Sequence, residues 1–328
     1  MDTYRPREHW VIGVDVGGTK IALGAVDPRS GTVAHRRVIP TRPERGAKAV
    51  IADVQMEAIA VARKLLREDR WPSLLGVGLP ELIDQEGRIR SSHLLEWSAT
   101  DPAQQLRAVA PPFFESDVRA AALAESHFGA GRSFRLFIYV SIGTGISSAV
   151  VLDGTPLAGA HGGALVLSSG PVSVPCEACG GWSAFVLEDY ASGPALARRY
   201  ATATGRAVAN AEAVITAAEG GDAIALDIVD SAAKALGSAI GWLVNVVDPE
   251  AVVIGGGLGL ASGRFQERLH AALRDHVWNP AARDLPLIPA ALGANAGIIG
   301  AALSAHHQAS QHDLTVGSPL AVLNGERR

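Results

Sequence analysis

Cysteine is almost missing, with only Cys176 and Cys179 in 328 residues. Two such thiols cannot staple a chain of this length, so a disulfide scaffold is excluded, and the C-x-x-C spacing suits metal ligation or redox chemistry better. Aromatic residues are scarce at 5%. Lys and Arg nowhere form a run able to neutralise several backbone phosphates, and the formal net charge is -4, which argues against a nucleic-acid partner. Long apolar runs are lacking too. The best candidate, residues 239–260, is broken by Asp248, Pro249, Glu250 and several glycines, so it does not read as a membrane span. Met1 to Trp10 carries Asp2, Arg5, Arg7, Glu8 and His9 in place of an apolar signal core, and the expected location is the cytoplasm.

What is present is a packed globular composition, 48% apolar and 19% charged. The length calls for two domains. Val11 to Val16 and Ile21 to Val26 flank the tight segment Gly17-Gly18-Thr19-Lys20 and read as strand, turn, strand, with Thr32 to Ile39 as a third strand. Ala47 to Leu66 has helical apolar spacing. Leu74 to Leu79 and Phe113 to Ser116 read as strands, the second delivering Asp117 to the start of an Ala-rich helix, Val118 to Phe128. The theme then repeats, with Phe134 to Ser141, the turn Gly143-Thr144-Gly145 and a returning strand Ile146 to Leu152. Two such hairpins predict duplicated lobes around a cleft. Helices are expected at 194–203, 210–218, 224–247, 265–277 and 297–307, and a buried strand at 251–254 leads into Gly255-Gly256-Gly257.

Both hairpin turns and the triple glycine offer bare backbone N–H groups to phosphate oxygens, and Thr19 adds a hydroxyl. Asp15, one pleat before the first turn, is placed to hold Mg²⁺ directly or through water. Neither G-x-x-x-x-G-K-[ST] nor G-x-G-x-x-G occurs, so this is neither a Walker loop nor a dinucleotide fingerprint. An ordinary hairpin would also use these glycines, and a helix N-terminus would also favour a carboxylate at Asp117.

Taken in order, Asp15 to Lys20, Gly78-Leu79-Pro80, Asp117 with Ala120 to Glu125, Gly143 to Gly145, Asp153-Gly154, residues 159–164, Leu187-Glu188, Asn245 with residues 248–250, residues 253–257 and residues 296–301 resemble the ROK group of bacterial sugar kinases and sugar-responsive repressors. The resemblance runs from Gly13 to about Ala302. It implies an α/β actin-like ATPase (ribonuclease H-like) fold of two lobes with duplicated mixed sheets flanked by helices. It also implies ATP, Mg²⁺, phosphoryl transfer to a sugar hydroxyl with Asp117 as general base, and a homodimer. Gly17, Gly18, Thr19, Lys20, Gly143, Thr144 and Gly145 are expected at the phosphates and Gly255, Gly256 and Gly257 at the nucleoside. Glu81, Ser116, Asp117, His161 and Glu188 are expected at the acceptor. The expected organisation is a small lobe at 1–116, completed by a helix near 303–312, a large lobe at 117–302 and a loose tail at 313–328.

Several positions depart from the family pattern. Ser116 stands where an Asn is usual, Val166 and Ser169 where Glu and His are usual, and Glu81 where Gly is usual. His93 opens a segment that more often begins with Asn. Only Cys176 and Cys179 remain of a zinc set that needs three cysteines and a histidine, so no structural zinc is expected. A changed acceptor half beside an intact donor half predicts a kinase whose acceptor is a sugar, amino sugar or sugar-like cyclitol, chemistry found in antibiotic pathways. A sugar-binding protein without catalysis is the alternative. A repressor is not expected, because only about ten residues precede Val11.

Overall fold

The computed structural model describes residues 8–175 and 181–311. In chain order the elements are β1 (Glu8–Val16), β2 (Lys20–Val26), β3 (Val33–Pro40), α1 (Ala47–Arg67), β4 (Arg70–Leu79), α2 (Pro102–Leu106), β5 (Pro112–Ser116), α3 (Asp117–Phe128), β6 (Leu136–Ile142), β7 (Ile146–Leu152) and β8 (Thr155–Pro156). There follow β9 (Pro171–Pro175), β10 (Trp182–Val186), α4 (Leu187–Ala191), α5 (Gly193–Thr204), α6 (Ala211–Glu219), α7 (Ala223–Val247), β11 (Ala251–Gly255), α8 (Arg264–His276), β12 (Leu287–Pro289) and α9 (Ala296–Gln311). No described helix is long and apolar enough to cross a membrane.

Two compact units result. Of the described residues, the first takes in those within 8–132, 156–164 and 294–311, and the second those within 133–155, 165–175 and 181–293. The sequence reading ended the first lobe at residue 116 and left α3 with the second. In the structure α3 packs along α9 and goes with the first unit, as does the whole of α9.

The first unit is built on a sheet of order β3-β2-β1-β4-β5, in which β1, β2 and β3 pair antiparallel and β4 and β5 are parallel to β1. Near-continuous apolar runs make its central strands: β2 is buried from Ile21 to Val26 because α1 covers one face and α9 touches the other. Helix α1 turns Val50, Ile51, Val54, Ala58, Val61, Ala62 and Leu65 inward at helical spacing. On the other side α9 comes unusually close. A Cβ on Gly13 would stand 2.0 Å from the Ile298 carbonyl oxygen, and one on Gly76 1.9 Å from that of Ala301. The glycines of β1 and β4 therefore let α9 settle on the sheet with backbone against backbone.

The second unit repeats the plan. Its sheet runs β12-β11-β6-β7-β8, with β6 and β7 antiparallel and β11 and β12 parallel to β6, the same strand sequence as the first sheet. The duplication read from two glycine turns is thus visible as one topology used twice. Its core gathers Ile138, Val140, Leu236, Ile240, Val252, Leu269 and Leu273 among others. Asp222 caps α7 by accepting from the N–H groups of Ile224 (3.0 Å) and Ala225 (3.1 Å). The hairpin β9–β10, α2, α4 and β12 were not read from the sequence, being short elements below the span that periodicity resolves.

Candidate active site

In the first unit three parallel strand ends align. Asp15 on β1 is the register partner of Gly78 on β4, and Leu79 on β4 is that of Ser116 on β5. Strand β5 passes into α3 without a loop, which makes Asp117 the first helical residue. A Cβ on Gly78 would lie 3.6 Å from the Asp117 Cα, ordinary contact distance, which places Asp117 directly beside the β4 register partner of Asp15. On the far side of Asp15 sits the first turn of α9: a Cβ on Gly297 would meet the Asp15 carboxyl at 2.5 Å.

Both acids are half-buried residues whose charged forms are disfavoured. Burial raises Asp15 to about 6 against the pull of Lys20. Asp117 is pushed up to about 7, first by burial and then by the negative charge of Asp15, while the Val118 N–H donates to its Oδ1 at 2.6 Å and opposes the rise. Glu81 adds to the rise and Arg119 subtracts from it. A carboxylate poised near neutrality suits a general base.

The phosphate-type turn is braced by a residue that sequence reasoning missed. The Gly17 N–H donates to the Lys20 carbonyl at 2.9 Å. Fully buried Thr41 holds the turn from beneath, its hydroxyl donating to the Gly17 carbonyl at 2.6 Å and its N–H to the Thr19 carbonyl at 3.1 Å. Gly18, Thr19 and Lys20 are left exposed.

The acceptor residues expected from the sequence fare differently. Ser116 is buried at the N-cap position of α3, without a side-chain cap hydrogen bond. His161 is exposed beside Gly162. Glu81 does not take the place expected of it. Rather than opening toward a substrate, it turns inward, and five donors from residues 91–97 converge on its carboxylate. His93 is exposed in that segment, with its N–H given to Glu81.

Arg119, also missed, is 4% exposed. Its guanidinium donates to Glu115 Oε1 at 2.8 Å, to the Gly162 carbonyl at 2.8 Å and to the Ile83 carbonyl at 2.6 Å. One side chain on the first turn of α3 thereby joins the end of β5, the segment after β4 and the segment carrying His161. The only sequence signal was a cation amid alanines. Breaking a buried, fully bonded ion pair costs about 3–5 kcal/mol. Arg119→Met is expected to lower the unfolding free energy by about 3 kcal/mol in urea titration, the low end of that range, since two carbonyls lose their donor while Glu115, partly exposed, keeps the Ser116 N–H and the Ser304 hydroxyl.

In the second unit the turn Gly143-Thr144-Gly145 joins β6 to β7, and Gly255-Gly256-Gly257 follows β11, the parallel neighbour of β6. The two come together: a Cβ on Gly143 would lie 3.7 Å from the Gly257 nitrogen. Gly256 has φ 80° and faces the Ile142 carbonyl, so no other residue fits there. The N-terminus of α5 docks on the same turn through the Gly193 N–H, which donates to the Gly143 carbonyl at 2.9 Å. Glu188 was expected at the acceptor. Its recorded contact is to this turn, where Oε2 accepts the Ile146 N–H at 2.8 Å and occupies the space a Cβ on Gly145 would need.

Among the described residues no group of three or more His, Cys, Asp or Glu side chains is arranged around a metal position. Cys176 and Cys179 lie outside the described residues. For Mg²⁺ the donor set fits: Asp15 offers hard carboxylate oxygen, two neighbouring acids repel one another, and Mg²⁺ needs only one or two protein carboxylates alongside substrate phosphates.

A family model described as the ROK family matches residues 11–308. The bifunctional enzyme NanE/NanK of Brucella suis is 34% identical over 89% of this chain and 52% of its own length, so the chain spans about half of that relative. Among solved structures, a ROK hexokinase from Thermus thermophilus superposes with a TM-score of 0.75 at 32% identity, covering 92% of this chain and 99% of the other. A ROK family glucokinase from Streptomyces griseus, in complex with glucose and AMPPNP, gives a TM-score of 0.75 at 26% identity, covering 91% and 99%. Two mixed sheets of one topology, each flanked by helices, are the actin-like ATPase fold these structures share.

Proposed function

Because this chain belongs to the ROK family, we propose that it is an ATP-dependent kinase acting on a sugar or sugar-like primary hydroxyl, with Asp117 as the general base. The observation that supports this most is the pairing of Asp117, at the first turn of α3, with Asp15 at the end of the strand that enters the phosphate-type turn.

The chemistry follows from those positions. A sugar hydroxyl is a poor nucleophile, and a carboxylate with a pKa near 7 can take its proton as the new O–P bond forms and the bond to ADP breaks. Charge accumulating on the phosphoryl oxygens is met by the N–H groups of exposed Gly18 and Thr19 and by Lys20, while Gly17, its own N–H closing the turn, lets the backbone come close. Gly143 to Gly145 are assigned to phosphate and Gly255 to Gly257 to the nucleoside. Bound Mg²⁺ would be held by Asp15 and would neutralise phosphate charge. Ser116 and His161 are assigned to the acceptor. The departures at Ser116, Val166 and Ser169 favour an acceptor other than plain glucose, an amino sugar or cyclitol first.

Supplying ATP and Mg²⁺ with glucose, mannose, glucosamine or carbaglucose, a cyclitol that bears a hydroxymethyl group, and measuring ADP release tests this. One acceptor is expected to stimulate release by about a hundredfold or more over water. Sugar binding without any stimulation would replace the kinase reading with that of a binding protein.

A further inference from the structure

Glu81 lies two residues beyond the β4 residue that is in register with Ser116, and so next to the strand that delivers Asp117. It is 4% exposed. Burying a carboxylate costs several kcal/mol unless its oxygens are satisfied. Here they are. Oε2 accepts from the Ser91 hydroxyl and from the His93 N–H at 2.7 Å, and Oε1 from the N–H groups of Leu94 at 2.9 Å and Leu95 at 3.3 Å and the Trp97 indole at 3.3 Å.

A carboxylate has about four acceptor sites, so five donors leave none for a substrate hydroxyl. Conversely, residues 91–97 form neither helix nor strand. Three successive backbone N–H groups aimed at one side chain fix the dihedrals of that stretch, and Glu81 takes the place of a ladder. The held segment borders the phosphate-type turn, since Leu94 Cδ1 is 3.8 Å from where a Cβ on Gly18 would stand. It stands beside the proposed base as well, since the charge of the Glu81 it encloses helps to raise Asp117, and it carries exposed His93.

We propose that Glu81 is a positioning residue that holds residues 91–97 in their acceptor-binding shape before any acceptor arrives, so that this wall of the acceptor site is preformed. The inference rests on the kinase reading above and names what selects the acceptor within it. A preformed wall charges no ordering cost to the correct acceptor and rejects one that would require the loop to move.

The test compares wild type, Glu81→Gln and Ser91→Ala, using whichever of glucose, mannose, glucosamine and carbaglucose wild type turns over fastest. Gln keeps the shape but sets an NH₂ group against N–H donors. KM for the acceptor is expected to rise about tenfold in Glu81→Gln and about twofold to threefold in Ser91→Ala, with KM for ATP within about twofold. Unchanged acceptor KM in both variants overturns the proposal. So does an equal loss in acceptor KM, ATP KM and kcat, which would assign Glu81 to folding alone.

Hydrogen exchange of wild type supplies a readout independent of any variant. The amides of His93, Leu94 and Leu95 are expected to be protected without ligand and little changed by 10 mM of the same compounds, a concentration of about tenfold over the upper range of typical KM values. Protection gained only on adding acceptor contradicts a preformed wall. If the screen finds no acceptor, the kinase reading fails, and the exchange of these amides in the free protein still decides whether Glu81 presets the segment.

Discussion

Asp117→Asn is expected to yield a protein that is both inactive and more stable than wild type. The loss of a positioned base costs about 10² to 10⁴ in kcat. The stability gain follows from proton linkage. Folded Asp117 has a pKa of about 7, against 3.8 for an unperturbed Asp, so between these values the folded state holds a proton the unfolded state has released. Stability therefore falls as pH rises from about 4 to about 7 and stays lower above that. Asn removes the charge and keeps an oxygen to accept the Val118 N–H. In thermal or urea unfolding the difference between variant and wild type should be small at pH 4, grow through pH 7 and level off at between about 2 and 4 kcal/mol. The upper figure is the full linkage value, and the lower one allows for solvent screening of a half-buried group. A difference that is flat with pH would mean that Asp117 carries no such cost, and would remove the physical basis for its basicity.

Gly300→Ala is expected to be the most damaging small substitution. A Cβ there would stand 1.7 Å from the Ala120 carbonyl oxygen and 2.2 Å from its carbon, both backbone atoms of α3. No rotamer relieves a backbone collision, so α9 and α3 must separate. The loss is expected to be about 3 kcal/mol or more by urea titration. Separation also disturbs chemistry, because α3 begins at Asp117 and the first turn of α9 abuts Asp15 through Gly297. Turnover should fall by at least about tenfold even where the variant stays folded, as displaced catalytic groups cost that much or more. Gly170→Ala is the control, since its Cβ would make only an ordinary 3.6 Å contact with Leu167, and it should stay within about 0.5 kcal/mol of wild type.

What was legible in the sequence and what was not divide along a physical line. The main strands and helices could be read because their burial pattern is local: β7 and the start of α1 were placed to the residue, and the strand-to-helix junction at Asp117 within one. The repeated strand–turn–strand theme foretold one topology used twice. Gly13, Gly76, Gly297 and Gly300 carried no such message, since each is needed only because another backbone passes within contact distance. Side-chain direction was equally silent. The sequence reading expected Glu81 at the acceptor, yet the direction its carboxylate takes depends on five donors ten to sixteen residues later. Thr41 and Arg119 went unread for the same reason, because their partners are carbonyls, which every residue has.

The most direct measurement is a single-turnover transfer of the γ-phosphoryl of labelled ATP to the preferred acceptor, with ATP binding measured separately in wild type and in Asp117→Asn. Wild type is expected to move the label onto the acceptor's primary hydroxyl, and the variant to bind ATP within about twofold of wild type while leaving the label on ATP about 10² to 10⁴ times longer. Equal transfer rates in the two proteins would contradict the assignment of Asp117 as the base.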